Sequence, residues 1–166
     1  MKALIIGRFQ PLHKGHCTLL DYAIKHYDCL HIGIGSSQYH SSFDNPYSYE
    51  ERRNMLMLYF KSKNSGSYTI HPIPDIHDPP HWVAHLKTII SDFDCVITNN
   101  PQTKTLFEDA GILVETPGLV HREKLKGVSV RKLMFSHQQW ENFVPESIIS
   151  YLKTLPITDN MPNPKH

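Results

Sequence analysis

Cysteine is scarce in this chain: three in 166 residues, Cys17, Cys29 and Cys95, scattered and odd in number. That excludes a disulfide framework and any C-x-x-C motif, and it points to a reducing, cytoplasmic setting. Cys29 and Cys95 lie in apolar strand-like runs, where cysteine acts as a small buried hydrophobe. Long hydrophobic runs are missing too. "ALII" near the start is too short for a signal-peptide core and is soon followed by Arg8, and no run reaches membrane-spanning length. Nor is there an excess of charge: 17 Lys and Arg against 16 Asp and Glu leave a formal net charge of +1. A broad nucleic-acid or membrane surface is therefore not expected, and any important positive charge must be local. No G-x-x-x-x-G-K-[ST] run occurs, so the chain is not of the P-loop type. "GIGSSQ" has two glycines of a dinucleotide fingerprint but lacks the third, and a polar loop follows it; its glycines read as a tight strand end.

What is present suits one soluble domain with a real core: 40% apolar and 20% charged residues. Strand-like runs alternate with helix-period segments. The expected strands are Lys2–Gly7, Cys29–Gly35, Ser67–Pro74, Asp94–Thr98 and the "ILVET" run from Ile112. Between and after them helices are expected at Lys14–His26, from Ser48, at His81–Ile90, Pro101–Asp109, Ser129–Phe135 and Pro145–Leu155. Ser48 with Glu51 forms a capping box, and Pro101 suits a first helical position. This alternation predicts an α/β fold: a Rossmann-like, doubly wound parallel sheet of about five strands with helices on both faces. One domain is expected over residues 1–155, with a polar, Pro-rich tail at 156–166. Ligands of such sheets bind beyond the carboxyl ends of the strands. "GRFQPLHKGH", "GSSQ", "IPDI" and "TNNP" all fall there.

The first of these segments carries the most chemistry. His13 and His16 sit at the start of the first helix, where orphan N–H groups and the helix dipole favour an anion. Gly15 removes a side chain where a ligand must approach backbone. Arg8 and Lys14 add positive charge. A second cationic element, "HREKLKGVSVRK", opens another helix far along the chain. Two such helix starts facing one pocket suit a polyphosphate.

The pattern G-R-F-Q-P-x-H-x-G-H is similar to the signature of the nucleotidyltransferase superfamily, whose H-x-G-H is shared in modified form with class I aminoacyl-tRNA synthetases. More narrowly, the chain resembles archaeal-type nicotinamide mononucleotide (NMN) adenylyltransferases. "GRFQPLHKGH", "GIGSSQ", "NPYSYEER", "IPDI", "HWVAH", "FDCVITNNP", "HREKLKGVSVRK" and "WENFVPESI" follow that family's order. The resemblance implies that the 5′-phosphate of NMN attacks the α-phosphate of ATP, giving NAD and pyrophosphate, with Mg²⁺ or another divalent cation held mainly by the ATP phosphates and no protein metal ligand. His13, His16, Arg8 and Arg131 become the expected catalytic residues, with His16 at the α-phosphate and the two arginines on the β- and γ-phosphates. Gly7, Phe9, Lys14, Gly15, Asn99, Asn100, Lys126 and Ser129 are expected on the ATP side. Ser36, Asp75 and Trp82 are expected on the NMN side, Trp82 as a stacking surface. Asp75 is either an acceptor for a carboxamide N–H or a loop-ordering carboxylate. The resemblance also implies a homo-oligomer; neither nucleic acid nor membrane is an expected partner.

The last motif departs from the family's usual S-G-T-x-x-R. Lys126 replaces the serine and Val128 the threonine, while Gly127 and Arg131 remain. Ser129 is the candidate replacement for the lost hydroxyl. His77, His81 and His85 have i, i+4, i+8 spacing, but Pro79 and Pro80 interrupt a helix between the first two, and no further ligand completes a zinc set. Glu51 and Arg52 read as a helix cap and a structural ion pair, with an indirect role at the site as the alternative. The alternatives are a related small nucleotidyltransferase using nicotinate mononucleotide, FMN, a phosphopantetheine or a cytidylyl donor, and a non-catalytic NAD or NMN sensor.

Overall fold

The computed structural model describes residues 1–63, 66–118 and 126–157. Five strands form one sheet: β1 (Lys2–Gly7), β2 (Cys29–Gly35), β3 (Ser67–Ile73), β4 (Cys95–Ile97) and β5 (Val114–Glu115). Among the described residues six helices accompany them: α1 (Lys14–His26), α2 (Tyr49–Lys63), α3 (Pro79–Ile89), α4 (Pro101–Asp109), α5 (Gly127–Phe135) and α6 (Ile149–Thr154). Short 3₁₀ turns at Glu141–Phe143 and Glu146–Ile148 precede α6. Every strand pair is parallel, and the order is β3-β2-β1-β4-β5. The expected doubly wound sheet is thus present. Most of the 156–166 tail lies outside the described residues.

The sheet divides the core in two because side chains alternate along each strand. Ala3 and Ile5 face one way and pack with Leu20 of α1, Met55 and Leu56 of α2, Val130 of α5 and Leu152 of α6. Leu4 faces the other way, onto Val83 and Leu86 of α3 and Phe107 of α4. β1 is central, and Ala3, Leu4 and Ile5 are buried on its two faces, so "ALII" reads as an unbroken apolar run.

Strand order reverses between β1 and β4. The chain builds outward through β2 to β3, then returns past β1 to start the second half. The crevice at that reversal is where a sheet of this class opens a ligand site. The loops after β1 and β4 therefore diverge, and the N-terminus of α1 lies between them.

α2 starts as expected. The Ser48 N–H donates to a Glu51 carboxylate oxygen at 2.8 Å, and the Glu51 N–H donates to Ser48 Oγ at 3.2 Å. Arg52 differs from expectation. It forms no ion pair among the described residues; it is fully buried, and its guanidinium donates to the carbonyls of Ser48, Arg8, Gly35, Ser36 and Ser37 at 2.8 to 3.4 Å. The reason is position: residues 52, 55, 56, 59 and 60 are the buried stripe of α2, so Arg52 meets the carbonyl ends of β1 and β2 rather than solvent. Burial holds its pKa down to about 10, still cationic at neutral pH.

Candidate active site

A cleft of 560 Å³ opens at the reversal point. Its lining brings together residues from several parts of the chain, among them Gly7 to Gln10, His13, Gly15 and His16, Ser36, Asp75, Trp82, Thr98 to Asn100, Lys126 to Val128, and Arg131. Of the residues singled out in the sequence, only Lys14 and Ser129 are not part of its wall. Lys14 is exposed and borders a separate groove with Cys17, Asp21 and Tyr59. Ser129 follows Val128 by about 100° around α5, which turns it away from the face that Val128 gives to the cleft.

His13 and His16 cap α1 reciprocally. His13 Nδ1 accepts the Gly15 N–H at 3.1 Å, and His16 Nδ1 accepts the His13 N–H at 3.2 Å. The rings stack with centroids 3.7 Å apart, and the Phe9 ring lies 4.7 Å from that of His16. The capping bonds fix the tautomer: an Nδ1 that accepts carries no hydrogen, so each neutral ring holds its proton on Nε2. Neither Nε2 has a protein partner among the described residues. Burial, then the nearby Arg131 guanidinium, lowers the His13 pKa to about 4. His16 is lowered well below the usual histidine value by burial, by His13 and by Arg8. At neutral pH the cleft therefore offers two uncharged N–H donors side by side at a helix N-terminus.

The cations stand opposite them. Arg131 is 2% exposed; its Nη1 donates to the Gln10 carbonyl at 3.0 Å. Its guanidinium lies 5.6 Å over the Phe43 ring, and its Nη2 is 3.5 Å from Asp44 Oδ1. Its Nε is buried without a partner among the described residues. Gly127 makes room for it, since a Cβ there would lie 3.0 Å from Arg131 Nη1. Arg8 is exposed and forms no ion pair among the described residues. Lys126 is the N-cap of α5, gives no side-chain cap, and lines the cleft.

At the other end, Trp82 is half-buried and meets Phe107 edge-on at 5.9 Å. It also lines an adjoining depression of 670 Å³ that shares Arg8, Ser36, Asp75 and Thr103 with the cleft. Asp75 orders its own loop: Oδ1 accepts the His77 N–H at 3.0 Å, and its backbone pairs with the Gln38 amide in both directions. Ser36 sits at φ 47 with its carbonyl on Arg52. Asn99 and Asn100 line the cleft with much of their hydrogen bonding committed. Asn99 pairs with the Gly118 backbone in both directions, and Asn100 Oδ1 caps α4 by accepting from Gln102 and Thr103.

Sequence reasoning missed Gln10, Thr98, Asp44 and the backbone carbonyls that Arg52 holds. Gln10 is buried and pairs with the Tyr47 backbone through both ends of its amide at 2.8 Å, tying the first loop to the segment before α2. Only for Arg52 did the sequence hold a signal: an arginine three and four residues before Met55 and Leu56, on their helix face.

His77, His81 and His85 each have a different partner: Tyr39, Asp78 and the Pro74 carbonyl. Among the described residues no group of three or more His, Cys, Asp or Glu side chains is placed to hold a metal, and no helix is long and apolar enough to cross a membrane.

The chain is similar to known proteins over most of its length. A nicotinamide-nucleotide adenylyltransferase from Methanocorpusculum labreanum is 38% identical over 149 residues, covering 90% of this chain and 88% of the relative. One from Ignicoccus hospitalis is 35% identical over 164 residues, covering 97% and 96%. Among solved structures, a bifunctional NMN adenylyltransferase/ADP ribose pyrophosphatase from Francisella tularensis, complexed with AMP and a manganese ion, superposes with a TM-score of 0.75 at 17% identity. That match covers 95% of this chain but 49% of the bifunctional protein, so the chain spans about half its length and the likeness is one of fold. The cytidylyltransferase-like pattern matches residues 4–145, from inside β1 to beyond Arg131. A match that runs through both helix starts of the cleft, with relatives aligned over nearly their whole length, means that the chain belongs to the cytidylyltransferase-like family of nucleotidyltransferases.

Proposed function

We propose that this chain is a nicotinamide-nucleotide adenylyltransferase, transferring AMP from ATP to NMN with release of NAD and pyrophosphate. The observation that carries the reading is the pair of locked imidazoles facing a buried arginine in one cleft, in a chain 32–38% identical to proteins of that name. An oxygen of the NMN 5′-phosphate attacks the α-phosphorus as the bond from that phosphorus to the α,β-bridging oxygen breaks. The electron pair leaves on pyrophosphate, and no protein atom becomes covalently bound. Catalysis of this kind rests on positioning and on donors aimed where charge develops. His16 Nε2–H, with His13 beside it, donates to α-phosphate oxygens. Arg131, Arg8 and Lys126 neutralise the leaving pyrophosphate. Trp82 stacks on the pyridine ring, and Asp75 holds the loop beneath it.

The donor set bears on how a divalent cation would be held. Among the described residues the cleft wall is cationic or neutral except for Asp75, whose carboxylate orders its own loop. Such a wall fits a cation that arrives on the triphosphate. Bound there, it would supply screening of the phosphate charge, while His13, His16, Arg8, Lys126 and Arg131 would hold phosphate oxygens.

The experiment is product formation with a substrate panel. ATP plus NMN should yield NAD and pyrophosphate in equal amounts. Faster turnover with CTP, or with FMN or a phosphopantetheine as acceptor, would replace this reading with another nucleotidyltransferase. Tight NAD binding without turnover would make the chain a sensor.

A further inference from the structure

Arg131 is an unusual cation for a phosphate site, because it already has a carboxylate beside it. Asp44 Oδ1 lies 3.5 Å from Arg131 Nη2. The two partners are held very differently: the Arg131 side chain is 3% exposed and the Asp44 side chain 72%. Arg131 is fixed by the Gln10 carbonyl and the Phe43 ring, whereas Asp44 makes no other side-chain bond among the described residues. The contact is long and one-sided, where a good arginine–carboxylate pair is shorter and bidentate. A buried guanidinium needs a partner, and Arg131 has a partner that is poorly attached and able to swing into solvent.

We propose that Asp44 is a built-in competitor for Arg131 that weakens the cleft's grip on the terminal phosphates of ATP and on pyrophosphate. The inference rests on the adenylyltransferase reading, which places those phosphates at Arg131. In the empty cleft Asp44 neutralises the guanidinium. A phosphate oxygen arriving there must displace the carboxylate or sit against it, and either event opposes binding. Asp44 acts through Arg131 and is a specificity-setting residue for polyphosphate. The adjacent fixed partners are neutral, so they do not cancel its charge. The effect falls on one end of the cleft: Trp82 and Asp75, at the pyridine end, lie on other loops.

The test uses Asp44→Asn, which keeps the shape and removes the charge, with Asp44→Glu as the charge-restoring control. Binding of inorganic pyrophosphate is measured by calorimetry, and KM for ATP and NMN by turnover. In Asp44→Asn, the pyrophosphate Kd and the KM for ATP should each fall about two- to fivefold, the range of an exposed ion pair, with the KM for NMN unchanged. Asp44→Glu should bind both ligands like the wild-type protein. Unchanged constants in Asp44→Asn would overturn the proposal. Weaker ATP binding with a raised Mg²⁺ requirement would overturn it in favour of a metal-ligating carboxylate; weaker binding without that requirement would make Asp44 a brace for Arg131. If wild type and variant both fail to bind pyrophosphate while CTP or another donor turns over, the adenylyltransferase reading has failed and the inference with it. That pattern is distinct from an unchanged Kd.

Discussion

His13 and His16 each accept a backbone N–H through Nδ1, so one turn of α1 determines which nitrogen of both rings carries the proton. A cap that satisfies helix ends is also a device for presenting two Nε2–H donors. Removing the donor and removing the cap can be separated. His16→Ala should lower kcat about 10²- to 10³-fold, the usual loss for a preorganised donor. His16→Asn keeps an acceptor near the Nδ1 position and should be as inactive, whereas His16→Gln, with an amide N–H near the Nε2 position, should recover part of the rate. Far-UV circular dichroism should stay native in all three. Near-normal turnover in His16→Asn would assign the residue to capping alone.

Stability should fall in acid because of His13. Its pKa is about 4 in the fold and near 6.5 when unfolded. Between those values the unfolded chain binds more protons than the native one, so stability rises with pH across the window and is fully present above about 6.5. The change from pH 6.5 to 4 should be roughly 3 kcal/mol for this residue. His13→Asn retains a good N-cap and should flatten that slope in urea melts. An equal slope in the variant would remove His13 as its source.

Trp82→Ala should raise the KM for NMN more than that for ATP, since a stacking surface serves one substrate. Trp82 also touches Phe107, so melting temperature must be followed alongside. A parallel rise in both constants would mean damage to the cleft as a whole.

Arg52→Lys preserves charge but has too few donors for the carbonyls of Ser48, Arg8, Gly35, Ser36 and Ser37. Stability should drop by at least about 2 kcal/mol, because buried carbonyls are left unpaired. Loss of less than 0.5 kcal/mol, on the order of a neutral surface change, would show that water replaces the guanidinium freely.

The α5 start allows a direct comparison. Val128 lines the cleft and is 39% exposed; Ser129 is outside its wall. Val128→Thr should therefore raise kcat up to about tenfold, a single net hydrogen bond's worth, with the KM for NMN unchanged. Ser129→Ala should be nearly silent. A larger loss in Ser129→Ala would show that its hydroxyl reaches the phosphates after all.

The parts legible in the sequence were those written in contiguous residues. "KALIIG", "KGHCTLLDYAIKH" and "PQTKTLFED" became β1, α1 and α4 with the expected ends. Boundaries shifted where backbone geometry outweighed side-chain pattern. α3 begins at Pro79, because proline suits the first helical positions, and α5 begins at Gly127, because the Val130 N–H reaches the Lys126 carbonyl. The expected helix at Pro145–Leu155 starts as a 3₁₀ turn, the Ile148 N–H bonding to the Pro145 carbonyl. In the cleft, the motif around His13 and His16 was readable as a string. Asp44 beside Arg131, Gln10 on Tyr47 and Arg52 on the strand ends were not, since those contacts come from folding and leave no local pattern.

The bond from Arg131 to the Gln10 carbonyl joins residues 121 apart in sequence. During synthesis, β1, β2, β3 and the imidazole pair can be complete while the arginine is still to be added. Closing so long a loop carries a large entropy term, and such contacts form late. The same contact can open without the β1–β2–β3 ladder melting, as sub-global openings do. A polyphosphate held between the α1 and α5 starts therefore acts as a non-covalent clasp. Amide hydrogens of Val130 to Met134 should then exchange more slowly with ligand bound, including those on the core side that no phosphate oxygen reaches.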